Sequence, residues 1–381
     1  MNLQQIKNSI PTSPAFILDT DELIKNLSVL NTLRQQCACK VLYSIKSLPL
    51  TYVMELAKPF VDGFSVSSLF EARLANEILK GGGNIHLTTP GVRADEWHEM
   101  KTLLTHISFN SLTQYQRFTD IKPDNLSIGL RINPKLSFLK DYRFDPCGPY
   151  SKLGVDINEL QHLSDLNQIN GLHVHNIFSA TDFLPLLKTI EKLRFYFGKK
   201  LAQLDWINLG GGYLFNKISD QSLFIALVKQ LQQDYKLDVI IEPGKAVVDS
   251  IGYLVTTVID CFPSDGKTIA ILDTSINHNP EVFEFQCKPE LYEHDPNGNY
   301  VSILAGSTCL AGDVFGEYCF NKPLEIGDKV VFKQVGAYTL IKANRFNGYN
   351  LPDIYKYQDQ HIQALKHYPF QDYRQQWLTD S

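Results

Sequence analysis

Leu204-Asp-Trp-Ile-Asn-Leu-Gly-Gly-Gly-Tyr213 is a short apolar run that breaks into three consecutive glycines, and Val239-Ile-Ile-Glu-Pro-Gly244 repeats the form one helical stretch later. A β-branched run that stops at Gly or Pro-Gly, with an amphipathic segment before the next run, is the signature of a βαβ unit. Outward from this pair, the same rhythm fills the chain upstream. Runs at 41–45, 62–66, 84–88, 106–110, 127–133 and 171–175 precede those at 206–209 and 239–242, eight in all. Between them lie segments such as 68–80 (SLFEARLANEILK), whose apolar residues recur at helical spacing. Eight such units in about 200 residues match a (β/α)8 barrel with parallel strands. A doubly wound sheet is the structural alternative and usually has fewer strands.

After Ile251 the texture changes. Val-, Thr- and Ile-rich runs at 253–261, 268–273, 300–305 and 329–335 follow one another with turns between them, which reads as an all-β domain. A further run at 15–19 precedes the first barrel helix and is expected to join that domain. The expected division is therefore a barrel over 21–250 and a β domain built from 1–20 and 251–381. The tail from Gln358 is polar and aromatic and carries no readable role.

Composition bounds the function. The 381 residues are 44% hydrophobic, and 36 Lys+Arg stand against 41 Asp+Glu for a net charge of −5. A core is affordable on that apolar share, and no basic cluster invites nucleic acid or an anionic membrane surface. No window approaches 18 uninterrupted apolar residues, and 1–14 lacks the apolar region of a signal peptide. Seven cysteines, an odd number thinly spread, fit reduced thiols in a cytoplasm better than a disulfide framework. Cys37 and Cys39 lack a matching second pair, so no metal site is assigned to them.

In a barrel, chemistry gathers at the C-terminal ends of the strands. Lys46 ends the first strand in Tyr43-Ser-Ile-Lys-Ser47, Arg131 lies within the fifth, and His173 and His175 lie on the sixth. Gly210, Gly211 and Gly212 end the seventh, and Glu242-Pro243-Gly244 ends the eighth. Each has an ordinary reading: a solvated lysine, a structural histidine, a turn, a capping glutamate. A metal also suits a His-x-His pair, but no third ligand of matched character stands nearby in the sequence. One ligand explains all of them together. Pyridoxal phosphate needs a lysine for its aldehyde, a flat partner for its ring, close backbone N–H groups for its phosphate and a carboxylate for its ring nitrogen.

The second domain adds Gly306-Ser-Thr-Cys309-Leu-Ala-Gly-Asp313, a thiol in a Gly-rich loop, then Gly336-Ala-Tyr338-Thr and Phe346-Asn-Gly-Tyr-Asn-Leu-Pro352. A lone cysteine is most often a small buried hydrophobe.

Taken in order, YSIKS, GLHVHN, INLGGGY, EPGKAVV, LDTSINHNPEVFE, GSTCLAGD and GAYT…FNGYNLP resemble the fold-type III pyridoxal-phosphate decarboxylases. That group includes ornithine and diaminopimelate decarboxylases. The TCLAGD loop and FNGxxLP link the chain to its carboxynorspermidine/carboxyspermidine branch. The resemblance implies that Lys46 carries the cofactor and that His175 stacks on its ring. It implies a phosphate loop at Gly210–Gly212 with contributions from Gly244, Tyr338 and Arg131, and Glu242 as partner of the ring nitrogen. It makes Cys309 the proton donor to substrate, and places Asp273, Glu281, Asp313, Ser179 and Lys245 among the substrate contacts. It further implies a homodimer whose sites are shared, with the cysteine loop entering from the neighbour.

Three positions depart from the branch. It usually reads EPGEA where this chain has Lys245, HNLCE where this chain ends in Ser179, and Pro-Asp where this chain has Glu281. The first two remove carboxylates that would pair with amines of a polyamine. Lys245 faces either the substrate or the cofactor phosphate. Decarboxylation of carboxynorspermidine or carboxyspermidine in polyamine synthesis is therefore set beside decarboxylation of an acidic conjugate, such as a citryl-diamino acid in siderophore assembly. An inactive regulatory homologue has no need of Lys46, Glu242 and Cys309 together, and a racemase is disfavoured by Glu242.

Overall fold

The computed structural model describes residues 2–119, 125–160 and 169–379. The chain divides into two compact units, Lys25–Val247 and Met1–Ile24 with Val248–Ser381. Strand β1 (Ala15–Asp19) opens the chain's sheets. It is followed by β2 (Lys40–Ser44), β3 (Gly63–Val66), β4 (Asn84–Thr89), β5 (His106–Phe109) and β6 (Ser127–Asn133). Then come β7 (Val155–Asp156), β8 (Gly171–Val174), β9 (Trp206–Asn208) and β10 (Asp238–Ile241).

Each of the eight runs expected in the barrel forms a strand. The order β5-β4-β3-β2-β10-β9-β8-β6 is closed by pairing of β6 with β5, and every pairing is parallel. The two-residue β7 beside β6 is an addition that the sequence did not announce. Strands buried on both faces read as near-continuous apolar runs, which is why these were legible. Between them the helix Leu69–Leu79 starts where Ser68 accepts the Glu71 N–H at 3.2 Å and stops where Lys80 turns left-handed at φ 52°.

An unusual side chain fills the barrel interior. The indole of Trp206, on β9, takes the space that side chains on β6 and β8 would occupy. A Cβ on Gly171 would lie 2.0 Å from its ring, and one on Gly129 2.4 Å. Its Nε1 donates to Ser127 Oγ at 2.8 Å, satisfying the buried N–H. The rings of His86 and His106 stand edge-on to it, with centroids 5.2 and 5.7 Å away. This layer is the floor beneath the strands' C-terminal ends.

The second unit adds β11 (Gly252–Ser264), β12 (Lys267–Leu272), β13 (Tyr300–Ala305), β14 (Val314–Phe320), β15 (Lys329–Lys333), β16 (Asp353–Gln358) and β17 (His361–Lys366). Their order is β14-β13-β12-β11-β1-β16-β17, with β15 also on β11. β1 runs antiparallel to β11 and parallel to β16, so the N-terminal strand completes this sheet. Phe16, Leu254, Phe315 and Phe332 pack in its core, the last two stacked with centroids 4.5 Å apart. Three strands here were not read from the sequence: β14, β16 and β17. The tail beyond Gln358 is partly β17 and ends in a helix, Phe370–Trp377. No helix among the described residues is long and apolar enough to cross a membrane.

Candidate active site

β2 ends at Ser44 and the chain turns at once into a single 3-10 turn, Ile45–Ser47. Ile45 and Ser47 are buried, and Lys46 between them is accessible, so the turn sends the lysine out of the packed wall at the barrel's C-terminal mouth. Ser47 Oγ donates to Ser44 O and the Tyr43 hydroxyl to Leu48 O, each at 2.8 Å, which fixes the turn. The Ser44 N–H reaches Pro243 O at 2.9 Å, and a Cβ on Gly244 would lie 3.3 Å from both Ser44 and Ser47. Glycine thus lets the Glu-Pro-Gly turn of β10 pack against the lysine turn. A water-sized molecule reaches Lys46, yet protein surrounds it. Desolvation is the main cause of an amine pKa below the ordinary value; Glu242 and Glu71 oppose that shift and Arg131 adds to it.

Glu242 sits on the floor of the same mouth, only 7% exposed. Asn208 Nδ2 donates to its Oε1 at 2.7 Å, and Ser65 supplies a second hydrogen bond. Burial raises its pKa, against the pull of Asn208, Lys46, Ser65 and Arg131. Two imidazoles flank it. His86 Nδ1 lies 3.7 Å from Oε1, and His173 Nε2 lies 3.7 Å from Oε2. Burial drives His86 down to about 3 and His173 well below its usual range, so both are neutral at physiological pH. Sequence reading missed His86, Asn208, Ser65 and Thr88. The available signal was polar residues facing the lumen from strands otherwise apolar.

The His-x-His pair is split between two tasks. His173 is buried on β8, with Nδ1 3.2 Å from Thr88 Oγ1. His175 lies one residue past the strand, where its Nδ1 accepts the Gly211 N–H at 3.0 Å. The third ligand-type residue that the sequence seemed to lack is His86: ligand atoms of His86, His173 and Glu242 lie within 4.8 Å of one another. Asn208 Nδ2, 3.1 Å from His86 Nδ1, occupies the lone pair that a metal would need.

The three glycines are required by close approach. Gly210 (φ 67°) and Gly212 (φ 92°) have left-handed backbones, and a Cβ on Gly211 would sit 2.3 Å from Glu242 O. Two of the loop's three N–H groups already have partners within the chain. Gly210 N–H donates to Asn208 Oδ1 at 2.8 Å and Gly211 N–H to His175, so these two are engaged within the chain. Arg131 projects Nη2 to His175 O at 3.4 Å, while its buried Nε finds no hydrogen-bond partner among the described residues. Burial lowers this guanidinium to about 10. Ser179 is half-buried with φ 56°, and its Oγ is likewise buried without a partner. Lys245 opens the short helix Lys245–Val248, and its Nζ lies 5.4 Å from the Phe178 ring centroid.

The remaining expected residues belong to the sheet unit. Cys309 is exposed, and its N–H donates to Asn347 Oδ1 at 2.8 Å, so the TCLAGD loop and the FNGYNLP segment meet at one hydrogen bond. Tyr338 is half-buried with φ 58°, and Glu281 begins the helix Glu281–Phe285. Two expected substrate contacts, Asp313 and Asp273, already carry hydrogen bonds within the sheet unit. Asp313, 2% exposed, accepts Ile276 N–H at 2.8 Å on one oxygen and Thr308 N–H at 3.1 Å on the other. Asp273 accepts Thr256 Oγ1 at 2.6 Å and Thr257 N–H at 2.9 Å on Oδ1, and Ser13 Oγ on Oδ2. Both carboxylates are engaged in holding their own loops and strands.

The barrel mouth therefore presents a desolvated but accessible amine, a buried carboxylate, a backbone cradle without room for side chains, and nitrogens on Arg131 and His173 that have no hydrogen-bond partner among the described residues. That set fits pyridoxal phosphate: an aldehyde for Lys46, a ring nitrogen for Glu242, an anion for the cradle and arginine.

Comparison with known proteins agrees. The family model described as pyridoxal-dependent decarboxylase, C-terminal sheet domain, matches residues 51–336. The carboxynorspermidine/carboxyspermidine decarboxylase of Campylobacter jejuni is 35% identical over 378 residues, covering 95% of this chain and 97% of that one. The carboxyaminopropylagmatine decarboxylase of Synechocystis is 35% identical over 353 residues, 91% and 90% of the two chains. A crystal structure of carboxynorspermidine decarboxylase from Campylobacter jejuni, complexed with norspermidine, superposes with a TM-score of 0.87 at 34% identity over 96% of this chain and 100% of that one. By sequence and by fold the chain belongs to the pyridoxal-dependent decarboxylases with a C-terminal sheet domain, and it is an enzyme that takes pyridoxal 5'-phosphate as its cofactor.

Proposed function

We propose that the enzyme removes the α-carboxylate of a carboxylated triamine of the carboxynorspermidine/carboxyspermidine type, as a step of polyamine biosynthesis. The observation that carries this reading is similarity sustained over nearly the whole chain to decarboxylases of such substrates. Pyridoxal phosphate, when bound, supplies a conjugated ring that accepts the electron pair released as CO2 departs. The protein's residues do the rest. Lys46 would hold the cofactor through its aldehyde. Glu242 would partner the ring nitrogen and keep its proton in place, and His175 would provide the flat partner for the ring. The Gly210–Gly212 loop, whose glycines leave room for it, would cradle the phosphate end together with Gly244, Arg131 and Tyr338. Cys309 Sγ delivers a proton to the substrate Cα after CO2 has left, as a positioned general acid. A second copy of the chain contributes the Cys309 loop, making the enzyme a homodimer. The seven cysteines are all free, in keeping with a reducing cytoplasm.

A second reading has its own support. Lys245 and Ser179 replace carboxylates of the branch, and the Lys245 ammonium lies over the Phe178 ring, where it would oppose a second cation. An amine left without its carboxylate in a desolvated site costs about 3–5 kcal/mol. That favours a substrate whose distal end is anionic, such as a citryl-diamino acid. Competition for CO2 release decides between the two: carboxynorspermidine, carboxyspermidine and carboxyaminopropylagmatine are offered against a citryl-diamino acid. The polyamine reading expects much the higher kcat/KM for one of the first three, and preference for the acidic conjugate would overturn it. Lys245→Glu should sharpen the preference for cations if Lys245 faces substrate, and should weaken cofactor affinity alike for all substrates if it holds phosphate.

A further inference from the structure

A single amide lies between the two ends of the cofactor site. Asn208, fully buried on β9, accepts the Gly210 N–H on Oδ1 at 2.8 Å. An N–H can only donate, so this bond fixes which end of the amide is oxygen. The nitrogen end then meets two groups. One N–H goes to Glu242 Oε1 at 2.7 Å, and the other faces His86 Nδ1 at 3.1 Å. His86 Nδ1 must therefore accept, and its proton resides on Nε2, 2.7 Å from Ser108 Oγ. His86 is itself locked, with no exposed surface, between the rings of His106 and Trp206.

We infer that His86 is a positioning residue for the cofactor: its Nδ1 holds the Asn208 amide in the one orientation that ties the glycine loop to the Glu242 carboxylate. Neither His86 nor Asn208 transfers a proton in this scheme. Without the acceptor at His86, one Asn208 N–H is buried with nothing to bond, and the amide gains by turning toward another partner. Any such turn loosens Gly210 and Glu242 together. The inference rests on the reading that Glu242 partners the ring nitrogen.

The test measures pyridoxal phosphate affinity of the apo-protein by fluorescence titration, with thermal unfolding followed in parallel. Asparagine places its oxygen where Nδ1 of histidine stands, and glutamine places its amide group where Nε2 stands. His86→Asn should therefore keep affinity within about threefold of wild type, whereas His86→Gln and His86→Leu should each lose about tenfold, the worth of one buried hydrogen bond. Asn208→Ala should lose as much, and the double variant His86→Leu, Asn208→Ala should lose no more than either alone. A merely structural histidine predicts that Asn and Gln variants behave alike and that the double variant's losses add; either result overturns the inference. If His86→Leu does not fold, the Asn-against-Gln contrast still decides. Glu242→Gln separates the two levels of argument. If it leaves affinity and cofactor spectrum unchanged, the reading of Glu242 fails. If it weakens binding while His86→Gln does not, only the inference about His86 fails.

Discussion

A lysine amine captures an aldehyde only when uncharged, so the charges around Lys46 set the pH at which cofactor is bound. Burial and Arg131 lower its pKa, while Glu242 and Glu71 raise it. Covalent capture by the apo-protein, trapped with borohydride across a pH series, should have a midpoint below the ordinary lysine value of 10.5. The signs of the neighbours follow directly. Glu242→Gln removes an anion that favours the ammonium and should move the midpoint down; Arg131→Gln removes a cation and should move it up. Lys46→Ala should trap nothing, and a reducible adduct on another lysine would refute its role. Among single residues, Lys46, His175, Glu242 and the glycines were legible because each ends a strand and breaks its apolar run. His86, Asn208 and Ser65 were not. His86 and Ser65 lie inside β4 and β3 and Asn208 is the last residue of β9, and one polar letter among apolar ones does not reveal that neighbouring strands place all three around one carboxylate.

At the scale of elements, the barrel's eight strands were legible because a parallel, doubly covered strand is a block of β-branched residues. What fills the lumen was not. The glycines of β6 and β8 look like weak points of a strand, yet they make room for the Trp206 indole contributed by β9. Gly171→Ala places a methyl group 2.0 Å from that ring, and neither β8 nor β9 can retreat within a closed barrel. Overpacking of this kind costs about 1–3 kcal/mol or more. Thermal unfolding should show a clear fall in midpoint, and an unchanged midpoint would mean that the floor is looser than the packing implies. Two of the three strands missed in the second unit, β14 and β17, have the opposite cause. β17 is largely exposed and polar, and β14 carries Gly316 in its middle, so neither shows the apolar alternation that marks a strand.

For the whole molecule, the proposed chemistry calls on residues of both units: Lys46 and Glu242 of the barrel and Cys309 of the sheet unit. Cys309 is exposed on a loop tied down at two adjacent residues, by Asp313 at Thr308 and by Asn347 at its own N–H. An accessible thiol on a braced loop is suited to act on a partner's substrate, and the proposed homodimer gives it one. A closed two-fold arrangement makes two equivalent sites, each composed of one barrel and one opposite loop. Lys46→Ala and Cys309→Ala homodimers should each be nearly inactive. Mixed under conditions that exchange subunits, about half of the dimers are hybrids in which one site carries both substitutions and the other neither, so about a quarter of wild-type activity should return. Cys309→Ala alone should keep cofactor binding while slowing turnover by about 10²–10⁴-fold, the range for loss of a general acid. It should also let the proton go to the cofactor instead of the substrate Cα, so that hydrolysis releases a carbonyl compound and leaves the cofactor as its inactive amine form, pyridoxamine phosphate. If exchange is demonstrated by mass and no activity returns, each site draws its thiol from its own chain. Lys46 and Cys309 would then act in cis, and the dimer would have no part in completing the site.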